Sequence, residues 1–389
     1  MLRYLTSGES HGQSLISILD GVPANIELNI EEINHELKKR QGGYGRGGRM
    51  KIEQDEINII GGVRGKKTLG APISIEVKNK DYENWIDYMN PMEEVDLESK
   101  KVSNVRPGHA DLVGCLKYDF DDARNVLERS SARETASRVA VGAICKQILK
   151  NFEIDFVSHV IQIGSVKSTK NYKFEYIKEN IEDSQVRCVD ENIEKDIIEE
   201  IDKVKKEGDT LGGIIEVRVK NVIPGLGSYT QFDKKIDGEL AMHLMGTQAI
   251  KGVEIGIGFD VAKNTGSQVM DEIYYNENNG IKRETNRLGG IEGGMTTGDE
   301  IVIRCAMKPI PTLYKPLNSI NINSLENYSA SIERSDNCAV PACSVVCENV
   351  VAFVICKYFL EKIGGDNLAD LKANYDSYTK RLGERGWKK

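Results

Sequence analysis

From Cys338 to Glu361 the chain is apolar almost all the way around a helical wheel, and a helix of that kind has no face to offer water. It must either cross a membrane or run through the middle of a protein with structure on every side. Pro341, Glu348, Asn349 and Lys357 interrupt the apolar stretch Ala339 to Leu360, so a membrane span is not expected. A buried helix of this length needs a large surround, and 389 residues can supply one. The length prior of ~150 residues per domain suggests two or three domains, with one large α/β unit also allowed. A second helical segment, Ser131 to Lys150, is rich in small residues (Ala132, Ala136, Ser137, Ala140, Gly142, Ala143), so a neighbouring element can approach its backbone closely. A third, Asn192 to Glu207, has a single stripe of Ile193, Ile197, Ile201 and Val204, is otherwise charged, and is closed by Gly208. It reads as a surface helix.

Runs of period-two alternation read as half-buried strands: Ser14 to Leu19, Pro72 to Val77, Phe156 to Ile163, Ile214 to Val222, Val253 to Phe259 and Ile301 to Met307. Several follow one another without an intervening helix, which favours antiparallel sheets over a Rossmann-type parallel one. Residues 165–208 are charged and glycine-poor, as expected of a peripheral excursion. Gln268 to Glu284 and Leu313 to Ser329 read as long surface loops, candidates for lids.

Composition narrows the function. The net charge is −8, the wrong sign for a general nucleic-acid binder, so an anionic ligand must be met by a local basic cluster. Eight cysteines occur without a C-x-x-C pair and the first residues contain no apolar run of a secretory signal, so reduced, mostly buried thiols and a cytoplasmic location are expected. Glycine is the outlier, 37 against 9 prolines. The glycines sit in short clusters, which suits turns and close approach of backbone to a ligand.

Those clusters surround the chemistry. His11 lies in Gly8-Glu9-Ser10-His11-Gly12 and His109 in Arg106-Pro107-Gly108-His109-Ala110-Asp111. Small neighbours are not the setting of a core histidine, and imidazole, with a reference pKa of ~6.5, suits acid–base work at neutral pH. A turn histidine with a local hydrogen bond explains either one alone equally well, and Glu9 and Asp111 leave a metal site open. Lys38 to Lys51 carries six positive charges and no negative one. Arginine's planar fork suits phosphate and carboxylate, and the glycines there are expected to make the loop mobile and leave backbone N–H groups free. Glu128-Arg129-Ser130-Ser131-Ala132-Arg133-Glu134-Thr135 combines helix-start serines with arginines, which is either a plain cap or an anion site. Gly289-Gly290-Ile291-Glu292-Gly293-Gly294 precedes a strand that ends in Lys308-Pro309-Ile310-Pro311-Thr312, and Arg334-Ser335-Asp336 opens the apolar helix. No Walker A loop or dinucleotide fingerprint occurs.

Taken in order, these segments, with Gly208-Asp209-Thr210-Leu211-Gly212-Gly213 and Arg334-Ser335-Asp336-Asn337-Cys338-Ala339-Val340-Pro341-Ala342, closely resemble the chorismate synthase family from about residue 6 to about residue 362. The resemblance implies an α+β fold, a β-α-β sandwich with buried central helices between two antiparallel sheets. It implies a single domain over 1–389, with 165–208 as the excursion, and a homotetramer. It also implies conversion of 5-enolpyruvylshikimate 3-phosphate to chorismate and phosphate by 1,4-elimination, with reduced FMN required although no net redox change occurs.

By the same resemblance, Arg40, Arg46, Arg49, Arg106, Arg133 and Arg334 hold the substrate, and Arg40 and Arg46 also match positions that take NADP, with NADPH as a reductant. Flavin contacts carry over to Arg129, Ser130, Ser131, Gln248, Ala249, Gly293, Lys308, Pro309, Ile310, Pro311, Thr312 and Arg334. His11 then assists the departing phosphate, His109 maintains the reactive protonation state of the flavin, and Asp336 helps relay the C6 proton. No metal, nucleic-acid or membrane partner is expected. Two rivals remain: a metal-dependent phosphohydrolase using Glu9, His11, His109 and Asp111, and an RNA-binding protein acting through residues 38–51.

Overall fold

A computed structural model describes residues 1–47, 54–333 and 335–388. Arg49 and Arg334, both expected to hold substrate, lie outside the described residues. The helix that dominates the sequence has bounds Val340–Ile363 and is buried along nearly its whole length. We label it α6. It is long and apolar enough to cross a membrane, but it is a core helix packed inside the protein.

Two antiparallel sheets enclose it. One has the order β1-β2-β4-β3, with β1 Arg3–Ser7, β2 Ser14–Asp20, β3 Ile57–Gly61 and β4 Ile73–Lys78. The other has the order β8-β9-β7-β5-β6, with β5 Asp155–Ile163, β6 Val166–Lys167, β7 Gly213–Lys220, β8 Ile250–Ile255 and β9 Ile301–Met307. The alternating residues of β2 turn Leu15, Ser17 and Leu19 inward. Helix α3, Thr135–Lys150, packs against β2 and β4, while α6 packs against β5 and β7. The two helices pack on each other, and α1, Ile30–Gln41, wedges against both. One hydrophobic core runs through all these layers, giving the expected β-α-β sandwich of an α+β fold.

The polar residues that interrupt α6 have partners in this central layer. Lys146 of α3 binds Glu348 of α6 and Glu36 of α1, Glu36 also binds Lys39 at 2.5 Å, and Asn349 donates to Glu36 at 2.9 Å. Burial raises the Glu36 carboxyl, yet the two lysines outweigh burial and hold it far below its usual range. The small-residue character of α3 is used at Gly142, where a Cβ would lie 2.2 Å from the Asn349 carbonyl oxygen. There α3 and α6 touch backbone to side of helix.

Some boundaries differ from the sequence expectation. The first buried helix starts at Thr135 because Ala132–Glu134 forms a 3-10 turn capped by Ser131, and a separate short helix α2, Arg124–Ser130, precedes it. The strand expected to reach Phe259 stops at Ile255, where Gly256 has φ +62° and the chain turns into a 3-10 segment. The two polar stretches expected to be loops carry short exposed hairpins, Ile273–Asn276 with Gly280–Arg283 and Asn318–Ile320 with Asn327–Ser329. Their strands are too short and too solvated to show alternation. Helix α4, Glu191–Lys206, has the expected stripe, but Ile197 and Ile201 reach the main core. Helices α5, Ile236–Met245, and α7, Leu368–Glu384, complete the described helices longer than eight residues. All eight cysteines are buried and free, and burial pushes the Cys188 and Cys338 thiols up to about 11 and about 12.

Candidate active site

His11 stands on the loop between β1 and β2, and that loop docks on the end of α2. The Ser10 N–H donates to the Glu128 carbonyl at 3.0 Å, and Arg129 donates to the carbonyls of Thr6 and Gly8 at 2.8 and 3.1 Å. His11 is 9% exposed. Its Nδ1 meets the two Glu128 carboxylate oxygens at 2.8 and 3.1 Å, and its ring stacks on Trp85 with centroids 4.0 Å apart. Arg124 lies over the other side of this arrangement, 5.2 Å from the Trp85 ring, and bridges Glu128 at 3.4 Å and Glu333 at 3.2 Å. Burial raises the Glu128 carboxyl, but hydrogen bonds from His11 and the charge of Arg124 prevail and hold it below its ordinary value.

The same loop is tied to the arginines through Asn79. Its amide donates to the carbonyls of Glu9 and Gly12 at 3.0 and 2.7 Å, and its carbonyl accepts Arg133 Nε at 2.8 Å. Asp55 then binds two guanidiniums, Arg133 at 2.6 Å and Arg40 at 3.3 Å. Arg40 also donates to Thr135 and to the Ala132 carbonyl. All three charged groups are buried. Burial brings the Arg40 guanidinium down to about 10, against the pull of Asp55, so it stays a cation at neutral pH.

The described part of the basic loop, up to Gly47, packs against other segments. A Cβ on Gly43 would lie 2.7 Å from Pro341, on Gly45 3.0 Å from Cys338, and on Gly47 2.9 Å from the Ser335 carbonyl. The glycines therefore let the described part of the loop pack against the start of α6 and do not free it. Asp336 anchors it, accepting Arg46 at 2.7 Å and the Gly47 N–H at 2.6 Å. Asn337 and Leu211 continue this contact, so the Gly208–Gly213 segment braces the same corner from below.

His109 belongs to a second carboxylate–arginine group. Its Nδ1 is 2.5 Å from Asp111, which also binds Arg106 at 2.8 Å, and Arg106 reaches Thr312 at 3.0 Å. Burial works against the Asp111 charge, but His109 and Arg106 hold the carboxyl far below the usual range. Lys308 binds the Gly108 carbonyl, its backbone N–H donates to Ala249, and Gln248 donates to Glu134, which also binds Thr6. Contacts thus run without a break from Arg129 through Thr6, Glu134, Gln248, Ala249 and Lys308 to His109, Arg106 and Thr312. Gly293 stands apart from this band, with φ +58° and nothing within 4 Å of a Cβ built there. Pro309 is exposed, Ile310 accepts from Thr210, and Pro311 lies beside Gly108. The two imidazoles do not touch. They are connected through α2, whose Val126 and Leu127 pack with Val105 and Cys115.

A family model described as chorismate synthase matches residues 2–360. A chorismate synthase from Alkaliphilus metalliredigens is 57% identical over 380 residues, covering 97% of this chain and 100% of that one. One from Caldicellulosiruptor bescii is 51% identical, covering 94% and 96%. A solved crystal structure of chorismate synthase superposes with a TM-score of 0.79 at 41% identity, covering 98% of each chain. The chain belongs to the chorismate synthase family. It is a phosphate-eliminating lyase of the shikimate pathway, forming chorismate from 5-enolpyruvylshikimate 3-phosphate.

Within that chorismate synthase frame, several groups around the site carried no signal in the sequence reading. Glu128 lies in the Glu128–Thr135 segment, where the sequence suggests no role for it, and Arg124, Trp85, Asn79 and Asp55 lie outside every motif. Each acts on a partner far along the chain, His11 and Glu128 being 117 residues apart. Among the described residues no group of three or more His, Cys, Asp or Glu side chains is placed to hold a metal. Glu9, His11, His109 and Asp111 are not gathered into one ligand set, since Glu128 takes the place beside His11.

Proposed function

We propose that this lyase acts with reduced FMN, and that the groups described above divide the work. The observation carrying the proposal is that, of the several buried polar atoms without partners among the described residues, Ser130 Oγ and Gln248 Oε1 stand beside the band from Arg129 to Thr312. Unsatisfied buried oxygens normally cost about 1–3 kcal/mol each, and two of them beside the band from Arg129 to Thr312 fit a ligand with neutral donors and acceptors. Arg129, Ser130, Ser131, Gln248, Ala249, Lys308 to Thr312, Gly293 and Arg334 are the residues we assign to hold it. When bound, reduced FMN supplies transient electron density that eases departure of phosphate from C3.

The chain's own residues supply position and charge. Arg40, Arg46, Arg106 and Arg133, with Arg49 and Arg334, offer guanidiniums to a phosphate and two carboxylates. Asp55, Asp111 and Asp336 orient the first four in advance, which lowers the reorganisation needed when the anion arrives. His11 donates a proton or hydrogen bond to the departing phosphate. His109, its Nδ1 tied to Asp111, keeps its other ring nitrogen for the cofactor, and Asp336 handles the proton leaving C6. NADPH is the reductant we assign to Arg40 and Arg46.

The protein is proposed to work in the cytoplasm as a homotetramer. Leu5 and Ile18 pair across β1 and β2 and are 77% and 44% exposed, and Ile60 on the same sheet is 61% exposed. Covering them in an assembly accounts for apolar residues on an outer sheet face. Anaerobic titration of FMN tests the cofactor site. Ser130→Ala and Gln248→Leu are expected to weaken binding about five- to tenfold each, and unchanged affinity in both would contradict the assignment.

A further inference from the structure

We infer that Glu128 is the positioning residue for His11, fixing which ring nitrogen faces the departing phosphate. This deepens the proposed function and rests on its assignment of His11. The loop carrying His11 has Gly8 and Gly12 on either side, and no bulky neighbour in the loop covers the imidazole. Contacts from other elements hold it. Glu128 takes both the Nδ1 edge of the ring and the His11 backbone N–H, the latter at 2.8 Å. Trp85 covers the ring face at a 24° tilt. Arg124 lies over Trp85 and returns to Glu128, closing a ring of four side chains in which each restrains the next.

Rotation about the last side-chain torsion is thereby blocked both in the plane and out of it. With the Glu128 carboxylate at Nδ1, Nε2 is the ring nitrogen left to face the substrate. No hydrogen bond within the described residues reaches Nε2. The arrangement is that of a carboxylate orienting a histidine for acid–base work, where the acid–base partner acts through the imidazole and not on substrate. Neutralising Arg124 does not by itself require Glu128, because Arg124 has a second carboxylate in Glu333 at 3.2 Å.

A double-mutant cycle separates positioning from a structural role. With flavin reduced and substrate saturating, His11→Ala is expected to lower kcat by about 10²–10⁴. Glu128→Leu is expected to lower kcat by about 10- to 100-fold with KM within about threefold. Glu128→Gln, which keeps an acceptor for the ring N–H without the charge, should cost less. Placed in the His11→Ala background, both Glu128 variants should cost less than about twofold more, because the residue they act through is gone. If Glu128→Leu does not fold, Glu128→Gln runs the same cycle. Equal losses in both backgrounds, or unchanged kcat in the single variants, would overturn the proposal alone. Near-normal turnover of His11→Ala would overturn the assignment of His11 and the proposal with it.

Discussion

Asp55 is the residue on which the arginine cluster depends. It is 4% exposed and binds two buried guanidiniums, so removing its charge takes a shared carboxylate away from both in a medium that screens poorly. Breaking one side of a buried ion pair typically costs about 3–5 kcal/mol. Asp55→Ala should therefore lower the unfolding free energy by about that amount in urea titration, and a change below about 1 kcal/mol would show that the guanidiniums do not rely on it. His109→Ala is expected to lower turnover by about 10²–10⁴ with the fold intact, and an unchanged rate with flavin and substrate saturating would remove His109 from the chemistry. His11 and His109 were legible in the sequence because glycine, serine and alanine surround them. Asp55 was not, since its importance comes from Arg40, 15 residues before it, and Arg133, 78 residues after it, which only the fold brings together on one carboxylate.

At the scale of elements, contact between α3 and α6 depends on an absent side chain. At Gly142 an added methyl would overlap the Asn349 carbonyl of α6. Gly142→Ala should destabilise by at least about 1–3 kcal/mol, the cost of overpacking, although alanine is the better helix former on a free helix. A thermal melt unchanged from the parent would contradict the close approach. The burial of α6 was legible from its all-round apolarity, and the closeness of α3 from its small residues. Helices α1, α5 and α7 were not read. In α1 only Ile30, Ile33 and Leu37 are apolar among twelve residues, so its burial emerges only once neighbouring elements are in place. In the described part of the basic loop, Gly43, Gly45 and Gly47 are small so that it can lie against the start of α6.

For the molecule as a whole, the layered sandwich brings carboxylates inside and pairs them with cations. Glu36, Asp111, Glu128, Glu134 and Glu216 are each buried enough to be raised, yet their partners hold all five below the ordinary value. A depressed carboxyl contributes stability above its unfolded value, about 3.9–4.3, and loses it as pH falls toward the folded value. Stability should therefore be steady through the neutral range down to about pH 5 and fall progressively below it, as followed by denaturant midpoints. A midpoint independent of pH between about 5 and 3 would contradict these pairings. The antiparallel sandwich was foreshadowed by alternation and motif order. The ion pairs between layers were not, because they join residues that only the completed fold brings together.

The proposed requirement for reduced flavin, in a reaction without net oxidation, can be read from the products. Purified protein, 5-enolpyruvylshikimate 3-phosphate and FMN are to be combined anaerobically, with and without dithionite, while chorismate and phosphate are followed together. Equal amounts of both products only in the reduced sample are predicted. Phosphate released without chorismate, or both products formed at the same rate with oxidised flavin, would contradict the account.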